Sequence, residues 1–268
     1  NSTGMTRPHT LVSKGPVRQR RQYSLSSASD YRLEAELPEW QRQAQTAIPE
    51  GFNPETVRLA NVWGDEAASD QELIDRLLQH YRDTFVYTLK APALGRHTVD
   101  DFLWGTQRGF CEHFASSFVF FMRAAGVPAR VVAGYQGGEV NAVSGDVIVR
   151  QSDAHAWAEV WLQGRGWVRV DPTAAVAPQR VERGLAAAVP ASEFHSRRVE
   201  EPTWLRSVRW GLDGLISGWN RWVLGYDRNR QAELFAWLGL DAADPRAVLW
   251  AVSGLFLLAA LPLLWQQR

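Results

Sequence analysis

Residues 153–173 read DAHAWAEVWLQGRGWVRVDPT, and this stretch decides the fold. Apolar and polar side chains alternate from His155 to Leu162, glycines follow at 164 and 166, and alternation resumes from Trp167 to Val170. Two antiparallel strands joined over Gln163–Gly166 are predicted. Pro172 cannot continue a central strand and ends the second one. A register centred on Gln163 sets His155 opposite Asp171, Trp157 opposite Arg169 and Glu159 opposite Trp167, all on one face. Ala158, Val160, Leu162, Val168 and Val170 then form the other face. Directly opposed side chains sit about 5 Å apart, so the register holds a carboxylate against an imidazole. The apolar face needs a partner to cover it.

That partner is upstream. Residues 109–125 read GFCEHFASSFVFFMRAA, and Phe114, Phe118, Val119, Met122 and Ala125 recur at helical spacing until Gly126 and Pro128 stop the run. The single cysteine of the chain, Cys111, falls in the first turn. There the unpaired backbone N–H groups and the positive end of the helix dipole favour thiolate over thiol. Arg130–Tyr135 and Val147–Gln151 read as two further strands. Earlier in the chain, Asn53-Pro54 opens a helix carrying Val57, Leu59, Ala60 and Trp63. Ser69 with Glu72 forms a capping box for a helix over 70–84, with Leu73, Ile74, Leu77, Leu78, Tyr81 and Phe85 on its apolar side. Thr98–Asp101 repeats the cap pattern before Phe102, Leu103 and Trp104. The expected class is α+β, a nucleophile helix packed on an antiparallel sheet.

Composition restricts the function. The 268 residues carry 29 Lys+Arg against 29 Asp+Glu, with 46% hydrophobic residues. That excludes a predominantly disordered chain, and a net charge of zero supplies no field for nucleic-acid phosphates, so no nucleic-acid partner is expected. One cysteine means that no intramolecular disulfide staples the fold.

A thiol primed by position still needs a base and an orienting group, and the hairpin register offers His155 and Asp171 for those roles. Each has a blander reading: a lone cysteine is often core filler, a lone histidine structural, and an Asp before Pro-Thr a turn or cap. The joint arrangement favours chemistry. The oxyanion of a tetrahedral intermediate would take one donor from the Cys111 backbone N–H and a second from Trp104 or Gln107. Trp157 is placed to wall an acyl groove, or else to pack. Zinc held by Cys111, His113, His155 and Asp171 is disfavoured, because Cys111 and His113 stand two apart on a helix, about 200° around it. No EF-hand-like loop is present, so no calcium, other metal or cofactor is expected.

The flanks organise the rest. Residues 1–29 hold five basic residues and no acid, giving a basic tail or, from the strand-like spacing of Leu11-Val12, Val17, Tyr23–Leu25 and Tyr31–Leu33, a partial β module over 1–36. A catalytic domain over 37–175 and a linker over 176–203 follow. Residues 204–245 form an amphipathic, Trp-rich helical segment, in which Leu205, Val208, Leu212, Leu215, Ile216, Trp219, Trp222 and Val223 share a stripe with arginines between them. Ala247–Trp265 contains no charge, and at about 1.5 Å per residue it is long enough for a transmembrane helix within 246–268. No signal peptide precedes these elements, and the first residue is not methionine, as expected of a piece of a longer protein.

The motifs GFCEHFA at 109–115, RAAGVPAR at 123–130, Gly134-Tyr135, DAHAWAEV at 153–160, Gly166-Trp167-Val168 and Asp171-Pro172-Thr173 resemble the transglutaminase-like superfamily. The likeness extends in particular to bacterial inner-membrane members with a periplasmic catalytic domain between transmembrane helices. The resemblance implies a papain-like fold with Cys111 as nucleophile, His155 as base and Asp171 as orienter. It also implies protein-glutamine γ-glutamyltransferase activity on Gln- and Lys-bearing protein substrates, and a periplasmic site tethered to the inner membrane. A cysteine peptidase or amidase would use the same triad, and a non-catalytic binding module would use the same fold. Such modules often lack a triad member, whereas all three are present.

Overall fold

The computed structural model describes residues 3–5, 11–13, 15–16, 18, 25–28, 31–184, 188 and 203–223. The chain divides into two compact units, Ala28–Arg206 and a smaller one of Asn1–Ser27 with Ser207–Arg268. In the smaller unit β1 (Thr3–Met5) pairs antiparallel with β2 (Leu11–Ser13).

The larger unit begins with polar contacts. Leu33 and Glu34 lie along the tip of the later hairpin: the Leu33 carbonyl accepts the Trp167 N–H at 3.0 Å, while the indoles of Trp161 and Trp167 donate to the Glu34 carbonyl and carboxylate at 2.8 and 2.6 Å. Leu33 and Glu34 are therefore tied to the hairpin by hydrogen bonds. Helix α1 (Glu39–Thr46) follows Pro38; the sequence reading passed over it because it buries no residue completely. Helix α2 (Pro54–Glu66) and α3 (Asp70–Thr84) form where expected. Ser69 Oγ accepts the Glu72 N–H at 3.2 Å, and the Glu72 carboxylate accepts the Ala68 N–H at 2.8 Å. This is a capping box displaced by one residue on its return bond. Strand β3 (Val86–Tyr87) leads to α4 (Thr98–Asp100), which continues as a wide π-type turn over Asp101–Thr106.

The expected cap at Thr98 is replaced by a reciprocal one. Asn53 Oδ1 accepts the Val99 N–H at 2.9 Å, and the Asp100 carboxylate accepts the N–H groups of Glu55 and Thr56 at 3.1 and 2.7 Å. Each helix start is satisfied by the other helix's side chain, which ties two segments about 45 residues apart.

Strand β4 (Arg108–Gly109) pairs in parallel with β3, and α5 (Cys111–Ala124) starts two residues later. Its apolar positions form the centre of the core. Phe114, Phe118, Phe121 and Met122 are fully buried against Leu73, Ile74, Leu77 and Tyr81 of α3, against Phe102 and Leu103, and against Ala158 and Val160 of the sheet. The sheet is β5 (Ala129–Tyr135), β8 (Ala154–Leu162) and β9 (Gly166–Val170), antiparallel with β8 central; β6 (Glu139–Val140) and β7 (Val147–Ile148) form a separate small hairpin. The expected strand over 147–151 is shorter, because Gln151–Asp153 turns as a 3₁₀ segment.

The hairpin register differs from expectation by one position. Leu162 pairs with Gly166, Trp161 with Trp167 and Glu159 with Arg169, which centres the turn on Gly164. Gly164 and Gly166 both adopt positive φ, +75° and +76°, so this tighter three-residue turn is open to them at no steric cost. The shift preserves parity, so every side chain keeps its face.

After β9, the short helices α6 (Pro172–Val176) and α7 (Pro178–Arg183) pack on the same unit, and Arg180 is 1% exposed. Residues 178–183, within the stretch expected to be a linker, are helical. In helix α8 (Thr203–Val223), Leu205, Val208, Leu212, Leu215 and Ile216 of the expected stripe are exposed. Among the described residues no helix is long and apolar enough to cross a membrane. The apolar run 247–265 lies outside the described residues.

Candidate active site

Cys111 opens α5 because Phe110 is extended, at φ −126° and ψ −179°, and no side chain caps the helix. The first-turn N–H groups therefore stay directed at the thiol's end of the helix. Gly109 permits the approach: a Cβ there would stand 2.9 Å from the His113 ring and from Phe102. His155 is the second residue of β8, beside Gly134 in the register with β5.

The imidazole Nε2 meets Asp171 Oδ2 at 2.8 Å, with the His155 side chain fully buried and that of Asp171 10% exposed. Register alone would put Trp157 nearer to the Asp171 level. His155 reaches the carboxylate diagonally along the shared face instead. Asp171 Oδ1 accepts the Thr173 N–H at 3.1 Å and so starts α6. Arg169 lies 3.6 Å from Oδ2 and 4.4 Å over the Trp157 ring. Trp157 is stacked on His155 with centroids 6.2 Å apart, and Gly134 gives it room, since a Cβ there would lie 2.8 Å from the indole.

The other ring nitrogen, Nδ1, is buried and makes no well-formed hydrogen bond; the Cys111 thiol acts on the same imidazole. Burial alone would push the thiol up. The imidazole, the Ala156 backbone N–H and the Arg180 cation outweigh it and hold the thiol below its ordinary range. Burial likewise pushes His155 down, but Asp171 and Cys111 raise it above the usual imidazole value. A thiol shifted down beside an imidazole shifted up runs in the direction that favours a thiolate–imidazolium pair.

The remaining expected site residues separate. Trp104 directs its single N–H to Thr56 Oγ1 at 3.1 Å and stacks on His80, so its donor is committed elsewhere in this structure. Gln107 sits in the left-handed region at φ +51°, with its backbone bonded to Phe102 and Val86, and its side-chain amide makes a long 3.4 Å contact to the Leu103 carbonyl. His113 packs between Phe102 and Phe110, and burial lowers its pKa. Among the described residues no group of three or more acids, histidines or cysteines is placed to hold a metal. The sequence reading missed Tyr87, Arg169 and Arg180. Arg169 was legible from its alternation with Asp171; Arg180, in a segment read as linker, carried no signal.

The family model described as the transglutaminase-like superfamily matches residues 59–172. A protein-glutamine gamma-glutamyltransferase of Pseudomonas aeruginosa is 42% identical over 271 residues, covering 96% of this chain and 41% of that protein. YebA of Bacillus subtilis is 42% identical over 79 residues, 28% of this chain and 11% of that one. Among solved structures, the periplasmic domain of TgpA from Pseudomonas aeruginosa superposes with TM-score 0.57 at 46% identity, covering 58% of this chain and 55% of that one. The same domain bound to ethylmercury gives TM-score 0.55 at 47% identity, covering 56% and 54%. The chain therefore spans about two fifths of the curated relative's length and about half of the solved domain.

Proposed function

Because residues 59–172 belong to the transglutaminase-like superfamily, we propose that this domain transfers the acyl group of a glutamine side chain to a primary amine through a thioester on Cys111. The observation that carries the reading is the 2.8 Å contact of His155 Nε2 with Asp171, which leaves Nδ1 for the thiol. The Cys111 thiolate attacks the carboxamide carbon. The oxyanion is held by the Cys111 backbone N–H, with Gln107 as the second donor. Imidazolium His155 gives its proton to the departing ammonia, leaving the thioester and a neutral imidazole. The incoming amine loses a proton to that imidazole as it attacks, and collapse releases the isopeptide and the thiolate. Asp171 keeps the imidazole oriented and stabilises its cation, and Trp157 forms one wall of the acyl groove.

The curated relative's name supports transfer, and the solved relative's periplasmic origin supports a periplasmic catalytic domain. Protein substrates bearing Gln and Lys follow from that chemistry. A membrane tether through residues 246–268 rests on their apolar sequence. The test is incorporation of a fluorescent primary amine into a Gln-bearing acceptor protein, with ammonia release followed in parallel, for the chain and for Cys111→Ala. Incorporation that is lost in the variant is expected. Cys-dependent ammonia release without incorporation would move the domain to the amidases, and inertness in both readouts would favour a binding module.

A further inference from the structure

Arg180 is a buried guanidinium without an acid. It is 1% exposed, and among the described residues no carboxylate pairs with it. Nη2 donates to the Ala154 carbonyl, one residue before His155, at 2.8 Å. Nε and Nη1 are buried and meet no acceptor at full hydrogen-bond geometry, the Tyr87 hydroxyl being the group that comes nearest to serving as one. A buried cation left without a partner is costly, so a fold that retains one supplies a counter-charge nearby. The ionisable groups on which Arg180 acts are the Cys111 thiol and the Tyr87 hydroxyl. Burial raises Tyr87 and keeps it neutral, so it is not the anion.

We propose that the Cys111 thiolate is the counter-charge of Arg180, and that Arg180 is a positioning residue which anchors the strand start before His155 and holds the nucleophile ionised. The arrangement makes the thiolate depend on two cations of different kinds. His155 loses its charge when it accepts and gives up protons; Arg180 does not. Among the described residues, the other charged or titratable groups of the site and of the same helix are His155 from β8, Asp171 after β9 with Arg169 beside it, Tyr87 from β3, and Glu112 and His113 on α5. Among these, Arg180 is the permanent positive charge acting directly on the sulfur. Its placement also gives α7 a role, since the Val181 carbonyl accepts the Gln136 amide at 3.4 Å and fixes the helix against the end of β5.

The inference rests on Cys111 being the nucleophile. It is tested on the full chain by the rate of Cys111 alkylation with iodoacetamide as a function of pH, in the wild-type chain, Arg180→Lys and Arg180→Met. Removing the charge is expected to move the thiol's apparent pKa up by about one unit, so that about tenfold less thiolate is present on the acid side. Arg180→Lys is expected to retain part of the wild-type position. A reactive thiol with an unshifted profile in Arg180→Met would overturn the role of Arg180, whereas a wild-type thiol unreactive at every pH would overturn the nucleophile reading beneath it. A second measurement needs no mutation. Carboxymethylation by iodoacetate and carbamidomethylation by iodoacetamide leave nearly isosteric groups on the same sulfur, one anionic and one neutral. The carboxymethyl protein is expected to melt at the higher temperature, and equal or reversed midpoints would overturn the proposal even if Arg180→Met fails to fold.

Discussion

The two carboxylate oxygens of Asp171 do different things: Oδ1 accepts the Thr173 N–H and starts α6, and Oδ2 meets His155 at 2.8 Å. The blander reading of this residue as a cap is met by Oδ1, and Oδ2 is left free to contact the imidazole that an orienter would need. Asp171→Asn is expected to keep the fold but lower turnover by roughly 10²–10⁴-fold. It should also shift the alkaline limb of the rate profile to lower pH, since losing the carboxylate lowers the imidazolium pKa. The sign on stability follows the same shifts. His155 is raised, so its stabilisation is full below the usual imidazole value and is lost as pH rises through the raised one. Cys111 is lowered, so its stabilisation is present at high pH and is lost as pH falls through the lowered value. The rate profile should therefore be a bell between those two pKa values. At the oxyanion position the two sequence candidates are distinguishable. Gln107→Ala should lower kcat by about 10²–10³-fold if its amide is a donor. Trp104→Phe should leave kcat near wild type and lower the unfolding midpoint in urea, because its N–H serves Thr56.

Among elements, the reciprocal caps between α2 and α4 are an unusual source of rigidity for the turn that precedes Cys111. Asn53 is 4% exposed, and its Oδ1 accepts the N–H groups of both Val99 and Asp100. Asn53→Ala and Asp100→Ala are each expected to cost about 1–2 kcal/mol in urea unfolding. The double variant should cost less than the sum, since either change already frees one side of the joint. The hairpin offers a second element-level check. Gly134 lies against Trp157, so Gly134→Val must displace the indole from its stack on His155. A larger effect on kcat than on the melting midpoint is expected, read from steady-state kinetics and thermal unfolding of the same preparation.

For the molecule as a whole, the extent of the catalytic unit matters more than its core. The core follows from sequence periodicity, but the edges are set by polar contacts at a distance: Glu34 with Trp161 and Trp167 at one end, and Arg180 with Ala154 at the other. Deletion of residues 176–183 should lower thiol alkylation at neutral pH more than it lowers helix content by circular dichroism. Glu34→Ala, which leaves the Trp167 indole without its acceptor, should cost about 1–3 kcal/mol with little effect on the thiol.

Periodicity and local capping chemistry were enough to determine the α+β class, the helix over 70–84, the thiol at a helix start and the shared face of His155 with Asp171. Each depends on residues within a turn or a hairpin of one another, so the chain carries the information locally. A one-position error in the hairpin register did no damage, because a turn centre moved by a whole residue leaves every side chain on its face. The tertiary structure decided the rest. Trp104 was equally suited by spacing to an oxyanion or to a core; Thr56, nearly fifty residues away, claimed its N–H. Helix α1 was hidden because it buries too little to leave an apolar stripe. Arg180 was illegible because nothing in a linker-like segment of alanine, proline and arginine says that one guanidinium folds back beneath the strand before His155. Its burial is fixed by long-range packing and by the Ala154 carbonyl 26 positions earlier in the chain, and sequence spacing cannot encode that.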